Sequence, residues 1–245
     1  MERIIVNNVS KKFQIGFKKN QGALARFISV FSGREPKREL WALQNISFQA
    51  KAGEIIGIIG SNASGKSTLL RVIGGIYEKD GGTIRINGKI ISLISLNVGL
   101  KEKLTMKDNI YLCCSLFGLG QREIKEGFSS IVEFAELEDF INTKIYQFSE
   151  GMKARLVFSI AIHCNPEIFL LDEFFEMGDE IFKEKWQNKI KELVKSGITV
   201  LMVSHDLNLF KKYCPKIIWL DGGKILMEGD SKEVIKEYLK AFGGK

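Results

Sequence analysis

The feature that most constrains this chain is the segment Gly60-Ser61-Asn62-Ala63-Ser64-Gly65-Lys66-Ser67-Thr68. It fits the pattern G-x-x-x-x-G-K-[ST] and follows directly on the apolar run Ile55-Ile56-Gly57-Ile58-Ile59. Leu69, Leu70, Val72 and Ile73 then continue with helical spacing. A strand, a glycine-bearing loop and a helix in that order make a phosphate cradle. The glycines let the backbone wrap closely, and successive N–H groups with the helix N-terminus hold anionic oxygens. In such a cradle Lys66 reaches the outer phosphates and the Ser67 hydroxyl ligates Mg²⁺. Residues 60–68 are therefore the first candidate binding residues, for a nucleoside triphosphate.

The strand signals are of two kinds. Ile55–Ile59, Ile168-Phe169-Leu170-Leu171 and Ile198-Thr199-Val200-Leu201-Met202-Val203 are nearly continuous apolar runs, as in parallel strands covered on both faces. Thr83-Ile84-Arg85-Ile86 alternates instead and leads into Asn87-Gly88, which predicts a hairpin there. Asp221-Gly222-Gly223, between Ile217–Leu220 and Ile225–Met227, predicts a second hairpin. From about residue 100 to 163 the patterns are helical, including Ile124–Phe140 and Met152–His163. Ser231–Phe242 reads as a closing amphipathic helix with Val234, Ile235, Tyr238 and Leu239 on one side. The sum is an α/β core with antiparallel trim and an inserted helical lobe.

Two further elements sit at strand ends, where ligands of parallel sheets collect. Asp172-Glu173 follows Ile168–Leu171; the aspartate is placed to hold Mg²⁺, directly or through water, and the glutamate to polarise an attacking water. Ser204-His205-Asp206 follows Ile198–Val203, so His205 is a candidate for contact with the terminal phosphate. The other histidine, His163, stands at a helix end before Asn165-Pro166, where a capping role is expected.

Bulk properties narrow the class. No apolar run approaches the roughly 18 residues of a membrane helix, and Met1-Glu2-Arg3-Ile4-Ile5-Val6 lacks the features of a signal peptide. Cys113, Cys114, Cys164 and Cys214 show no C-x-x-C spacing, which predicts buried, reduced thiols. Of the net charge of +7, six units fall in residues 11–40, where eight basic side chains meet only Glu35 and Glu39. In that segment Leu24, Phe27, Ile28 and Phe31 form one stripe, a basic amphipathic insert over about 14–40 that suits anionic lipid or a membrane subunit, or packs on the chain's own core. No nucleic-acid partner is expected.

Phe148-Ser149-Glu150-Gly151-Met152-Lys153-Ala154-Arg155-Leu156 reads as a helix start with Ser149 as an oxygen cap. Upstream of Asp172-Glu173 it resembles the signature motif of ABC nucleotide-binding domains. With the phosphate loop, the acidic pair and His205 in family order, the resemblance spans nearly the whole chain. It implies a RecA-like P-loop NTPase core at about 1–95 and 164–245, with an antiparallel β subdomain, and a helical subdomain at about 96–163, within one domain of residues 1–245.

The resemblance also implies ATP and Mg²⁺ as ligands and a dimer of two copies sandwiching ATP. Ser149 and Gly151 would then close on the phosphate of the opposite copy, and Asp179 would lie in the loop touching that site. Polytopic permease subunits would complete a transporter at the cytoplasmic face of the bacterial inner membrane. The spelling Ser-x-Gly-Met-x-x-Arg-Leu, Gly178-Asp179 and Trp41-Ala42-Leu43 resembles exporters of O-antigen, capsule or teichoic acid. That implies a lipid-linked, undecaprenyl-type glycan as cargo, of the O-antigen or lipopolysaccharide kind, in a short form without a C-terminal carbohydrate-binding domain. Exporters of other cargo, soluble ABC ATPases and P-loop kinases are the competing classes. Two positions stay open: Asn97 against the glutamine usual after the following strand, and Phe13 against Trp41 for the adenine-stacking aromatic.

Overall fold

The computed structural model describes residues 1–15, 38–94, 99–173 and 180–242. The first half supplies β1 (Glu2–Ile15), β2 (Arg38–Lys51), β3 (Ile55–Ile59), α1 (Lys66–Ile73), β4 (Gly81–Ile86) and β5 (Ile90–Leu93). Next come α2 (Met106–Leu116), α3 (Gln121–Ala135) and α4 (Glu150–His163), then β6 (Ile168–Asp172). The remainder is α5 (Glu180–Lys195), β7 (Thr199–Val203), α6 (Leu207–Tyr213), β8 (Lys216–Asp221), β9 (Lys224–Asp230) and α7 (Ser231–Phe242).

The strands form two sheets. One is antiparallel, in the order β2-β1-β4; the other runs β5-β6-β7-β3-β8-β9. In the second, β5 through β8 are mutually parallel and β9 returns antiparallel to β8. The continuous apolar runs are explained by this placement. Ile55, Ile59, Phe169, Leu171, Val200 and Met202 face one core, shared with α2 to α7. Ile56, Ile58, Ile168, Leu170, Leu201 and Val203 face a second core, shared with α1 and the antiparallel sheet. Period-2 alternation is still there, but both faces are apolar because both are covered. Gly57 is required within β3, since a Cβ there would stand 2.5 Å from the ring of Phe210 on α6.

The second hairpin forms as expected: β8 and β9 pair through Gly222 and Gly223, both at positive φ (51° and 76°). Such a two-residue turn matches the twist of its strands. The first hairpin does not form. β4 pairs with β1 and β5 with β6, so Asn87-Gly88 carries the chain from one sheet to the other. The physical reason is burial. Ile91 and Leu93 are fully enclosed beside β6, whereas β4 alternates half-exposed residues suited to an edge. The crossing is held by Asn87, whose side-chain amide donates to the Glu2 carbonyl (2.8 Å), and by Arg3, which donates to the Asn87 carbonyl (2.9 Å).

Among the described residues, the chain between β5 and β6 forms helices and turns, with one isolated antiparallel bridge between Thr105 and Lys144. The helical pattern Ile124–Phe140 proves shorter than expected: α3 ends at Ala135, where Glu136 turns left-handed (φ 56°), and residues 138–140 form a separate 3₁₀ turn. α2, which starts on a Thr105–Asp108 capping box, was not separately legible. All four cysteines are free and buried. In α7, Val234 and Ile235 are buried while Leu239 lies half-exposed at the edge of the stripe. No helix of the described residues is long and apolar enough to cross a membrane. The stripe Leu24–Phe31 lies outside the described residues.

Candidate functional site

The loop between β3 and α1 wraps back on itself. Gly60 has φ 155°, and a Cβ there would overlap the Leu220 carbonyl at 2.0 Å. Gly65 has φ 108°, and its Cβ would stand 2.5 Å from the Ala42 carbonyl. Glycine is the residue that can bring backbone this close. Ala63 also takes the left-handed region (φ 62°), in the middle of the loop. The Lys66 ammonium curls over the loop, donating to the carbonyls of Gly60 (2.8 Å) and Ser61 (2.9 Å). Burial lowers the pKa of this lysine, while Glu173 and Asp172 nearby pull it back up.

The ends of β6 and β7 bring the carboxylates and His205 to the same place. Asp172 closes β6 and accepts a hydrogen bond from the Ser67 hydroxyl at 3.2 Å. Burial raises its pKa, the Ser67 bond opposes that rise, and the Glu173 charge adds to it. Glu173 is held left-handed (φ 52°) with its N–H donating to the Val203 carbonyl at 2.9 Å, so the chain breaks sharply from the sheet here. Its carboxylate lies 2.9 Å from His205 Nε2. His205 follows β7 in the short link to α6, whose N-cap is Asp206. His163 instead bonds through Nδ1 to the Ser159 carbonyl (2.7 Å) in the last turn of α4, a structural contact.

Asn62, Ala63, Ser64, Gly65, Lys66, Ser67, Thr68 and Glu173 line a cleft of about 460 Å³. Its apolar wall comes from the paired ends of β1 and β2, where Phe13, Leu40 and Trp41 stand opposite the loop. Phe13 is half-buried against Tyr77 in an edge-to-face contact (5.5 Å), with Lys11 5.4 Å from its ring. Trp41 is the more exposed ring at 44%. Polar loop and aromatic wall together fit a phosphorylated molecule with a flat base. The oxygens of Ser67 and Asp172 are the hard donors that suit Mg²⁺, an ion that binds through few protein groups and keeps waters and phosphates.

Ser149 and Gly151 stand at the start of α4, where the Ser149 hydroxyl accepts from the Met152 N–H (3.2 Å); neither lines the cleft. Asp179 and Asn97 lie outside the described residues. Sequence reading missed the contribution of the β8–β9 turn. Gly222 lines the cleft, the Gly223 N–H donates to the Ser64 carbonyl (3.0 Å), and the Ser61 hydroxyl donates to Asp221 (3.1 Å). The Asp-Gly-Gly signal marked the turn but not what it touches.

Comparisons with known proteins agree with this geometry. The ABC transporter family matches residues 43–176. The teichoic acids export ATP-binding protein TagH of Lactococcus lactis subsp. lactis (strain IL1403) is 39% identical over 97% of the chain, which spans 51% of that protein's length. The protein of the same name from Staphylococcus haemolyticus (strain JCSC1435) is 36% identical, over 98% of this chain and 90% of its own. Among solved structures, a dimeric ATP-binding cassette in a post-hydrolysis state bound to ADP and Pi superposes with a TM-score of 0.76 at 26% identity, covering 93% of this chain and 98% of that one.

Proposed function

The chain belongs to the ABC transporter family, and from that premise we propose that it is the ATP-hydrolysing subunit of an exporter. The observation that carries this reading is the convergence of Lys66, the Ser67–Asp172 pair and the Glu173–His205 pair on three neighbouring strand ends. The loop N–H groups and Lys66 bind the phosphates, and Phe13 or Trp41 stacks on adenine. Ser67 and Asp172 hold Mg²⁺, which when bound neutralises charge on the phosphate oxygens. Glu173 orients a water and accepts its proton as the water oxygen attacks the terminal phosphorus in line. The bond from that phosphorus to the ADP oxygen breaks, and His205 steadies the phosphoryl group. Little covalent work falls to the protein, so positioning and charge neutralisation dominate.

In this reading two copies sandwich two ATP, with Ser149, Gly151 and Asp179 of each copy completing the site of the other. Residues 96–163 act as a helical subdomain on a core formed by 1–95 and 164–245. The pair works beneath polytopic permease subunits at the cytoplasmic face of the membrane. The relatives' teichoic acids export name supports a polysaccharide cargo, and we read that cargo as lipid-linked. The test is Glu173→Gln: ATP binding should persist, most turnover should be lost, and a closed dimer should accumulate with ATP on size-exclusion chromatography. Near-normal ATPase activity would reject the assignment. Purifying the membrane complex and identifying its bound glycolipid tests the cargo.

A further inference from the structure

We propose, on the basis of the ATPase reading, that Asp80 and Tyr77 are positioning residues for the base. They hold the aromatic wall of the cleft at a fixed distance from the phosphate loop, so the site selects a nucleotide over a bare polyphosphate. The wall sits on an overhang. β1 pairs with β4 as far as Ser10 opposite Gly81, whereas its pairing with β2 runs on to Ile15 opposite Arg38. Past Ser10, among the described residues, the end of β1 has β2 on one side and no strand on the other. Phe13, Leu40 and Trp41 all lie on this two-stranded ribbon. Such a ribbon is marginally stable by itself.

Asp80 takes the place of the missing strand. Its N–H donates to the Ser10 carbonyl (2.8 Å), and its carboxylate accepts the Lys12 N–H (2.8 Å) and pairs with the Lys11 ammonium (3.1 Å). The Lys12 N–H foremost, and then Lys11, hold this carboxyl below the usual carboxylate range. The same Lys11 ammonium stands 5.4 Å from the Phe13 ring. Tyr77 makes the link to the phosphate loop. It follows α1, whose first turn carries Lys66 and Ser67, and its N–H donates to the Arg71 carbonyl (3.1 Å). The Arg71 guanidinium stands 5.8 Å from the Tyr77 ring, and the edge-to-face contact of Tyr77 with Phe13 completes the path. One helix about 12 Å long thus separates the groups that grip phosphate from those that set the wall. Slack in the ribbon costs stacking on the base and leaves the phosphate cradle intact.

The experiment compares ADP with inorganic pyrophosphate, each with Mg²⁺, by isothermal titration calorimetry on the full chain. Stacking of a base on an aromatic platform contributes about 5- to 150-fold in affinity. Asp80→Ala loosens the platform without removing it, so its Kd for ADP should rise about 10-fold and its Kd for pyrophosphate by less than about 2-fold. Asp80→Asn, whose carboxamide oxygen still accepts the Lys12 N–H, should recover most of that loss. Tyr77→Leu, which keeps apolar bulk, should repeat the selective loss, and it decides the matter should Asp80→Ala fold poorly. The proposal is overturned if Asp80→Ala binds ADP like the parent, or if Asp80→Asn restores nothing. It is equally overturned if ADP and pyrophosphate lose affinity together, which marks a general structural role. A parent chain that binds ADP no tighter than pyrophosphate would reject the nucleotide reading itself, and the clamp with it.

Discussion

Replacing Gly65 by alanine separates the cost of a backbone conformation from the cost of a collision. Gly65 sits at φ 108°, and an added Cβ meets the Ala42 carbonyl at 2.5 Å and the Leu220 and Leu43 side chains at 3.1 Å. Holding alanine in a sparsely populated region costs about 1–3 kcal/mol. Forcing a methyl into packed surroundings adds about 1–3 kcal/mol. The reduced freedom of the unfolded chain returns about 0.4–1 kcal/mol. The net is a loss of about 3 kcal/mol, or roughly 6–12 °C in Tm for a chain of this size. Gly222 is the internal comparison: it is also left-handed (φ 51°), but nothing lies within 4 Å of its would-be Cβ. Gly222→Ala should therefore cost only about 0.5–1 kcal/mol, the left-handed strain less the entropy term. Both are measured by thermal and urea melts of the purified chain. Equal shifts for the two, or a Gly65→Ala Tm within about 2 °C of the parent, would refute the argument that the loop is pinned against β2.

Asp172→Asn should stabilise the chain at neutral pH while abolishing Mg²⁺-dependent turnover. Burial raises the folded pKa of Asp172 above its unfolded value, so the folded state takes up the proton first and gains stability as pH falls through the folded pKa; the variant should lack that gain in urea melts across pH 3–7. Ser149→Arg should bind ATP but not close as a dimer. Mixed with Lys66→Ala, it should give a heterodimer with one intact site and more ATPase activity than either homodimer, and no gain would sink the shared-site model. Trp41→Ala and Phe13→Ala compared by ATP titration should assign the stacking ring: the larger loss of affinity identifies it, and equal losses would mean that both rings serve.

The parallel core was legible because a strand covered on both faces must be apolar throughout, and Ile55–Ile59, Ile168–Leu171 and Ile198–Val203 are. The site followed from position: phosphate loop, Asp172-Glu173 and His205 all stand just past those strands, and the structure puts them within hydrogen-bond reach of one another. Asn87-Gly88 misled because local turn preference says nothing about which sheet offers the better-buried partner, and for Ile90–Leu93 that partner is β6. The salt bridges from Glu136 to Arg155 (3.1 Å) and Lys185 (2.6 Å) join α3, α4 and α5 across large sequence separations, and no spacing rule would find them. The same holds for the antiparallel sheet, whose long β1–β2 pairing supplies the aromatic wall of the cleft.

The β8–β9 turn has a mechanical meaning. Its Gly223 carbonyl takes the Gln44 N–H of β2 at 2.7 Å, while its own N–H holds the Ser64 carbonyl of the phosphate loop. One two-residue turn is thus a rivet through three parts: the antiparallel sheet, the parallel sheet and the loop that grips phosphate. β9 runs from that rivet straight into α7, with Gly229 packed beneath Val234. A load applied to α7 is carried along a paired strand to the floor of the cleft, so the last helix of the chain is a handle on the phosphate loop.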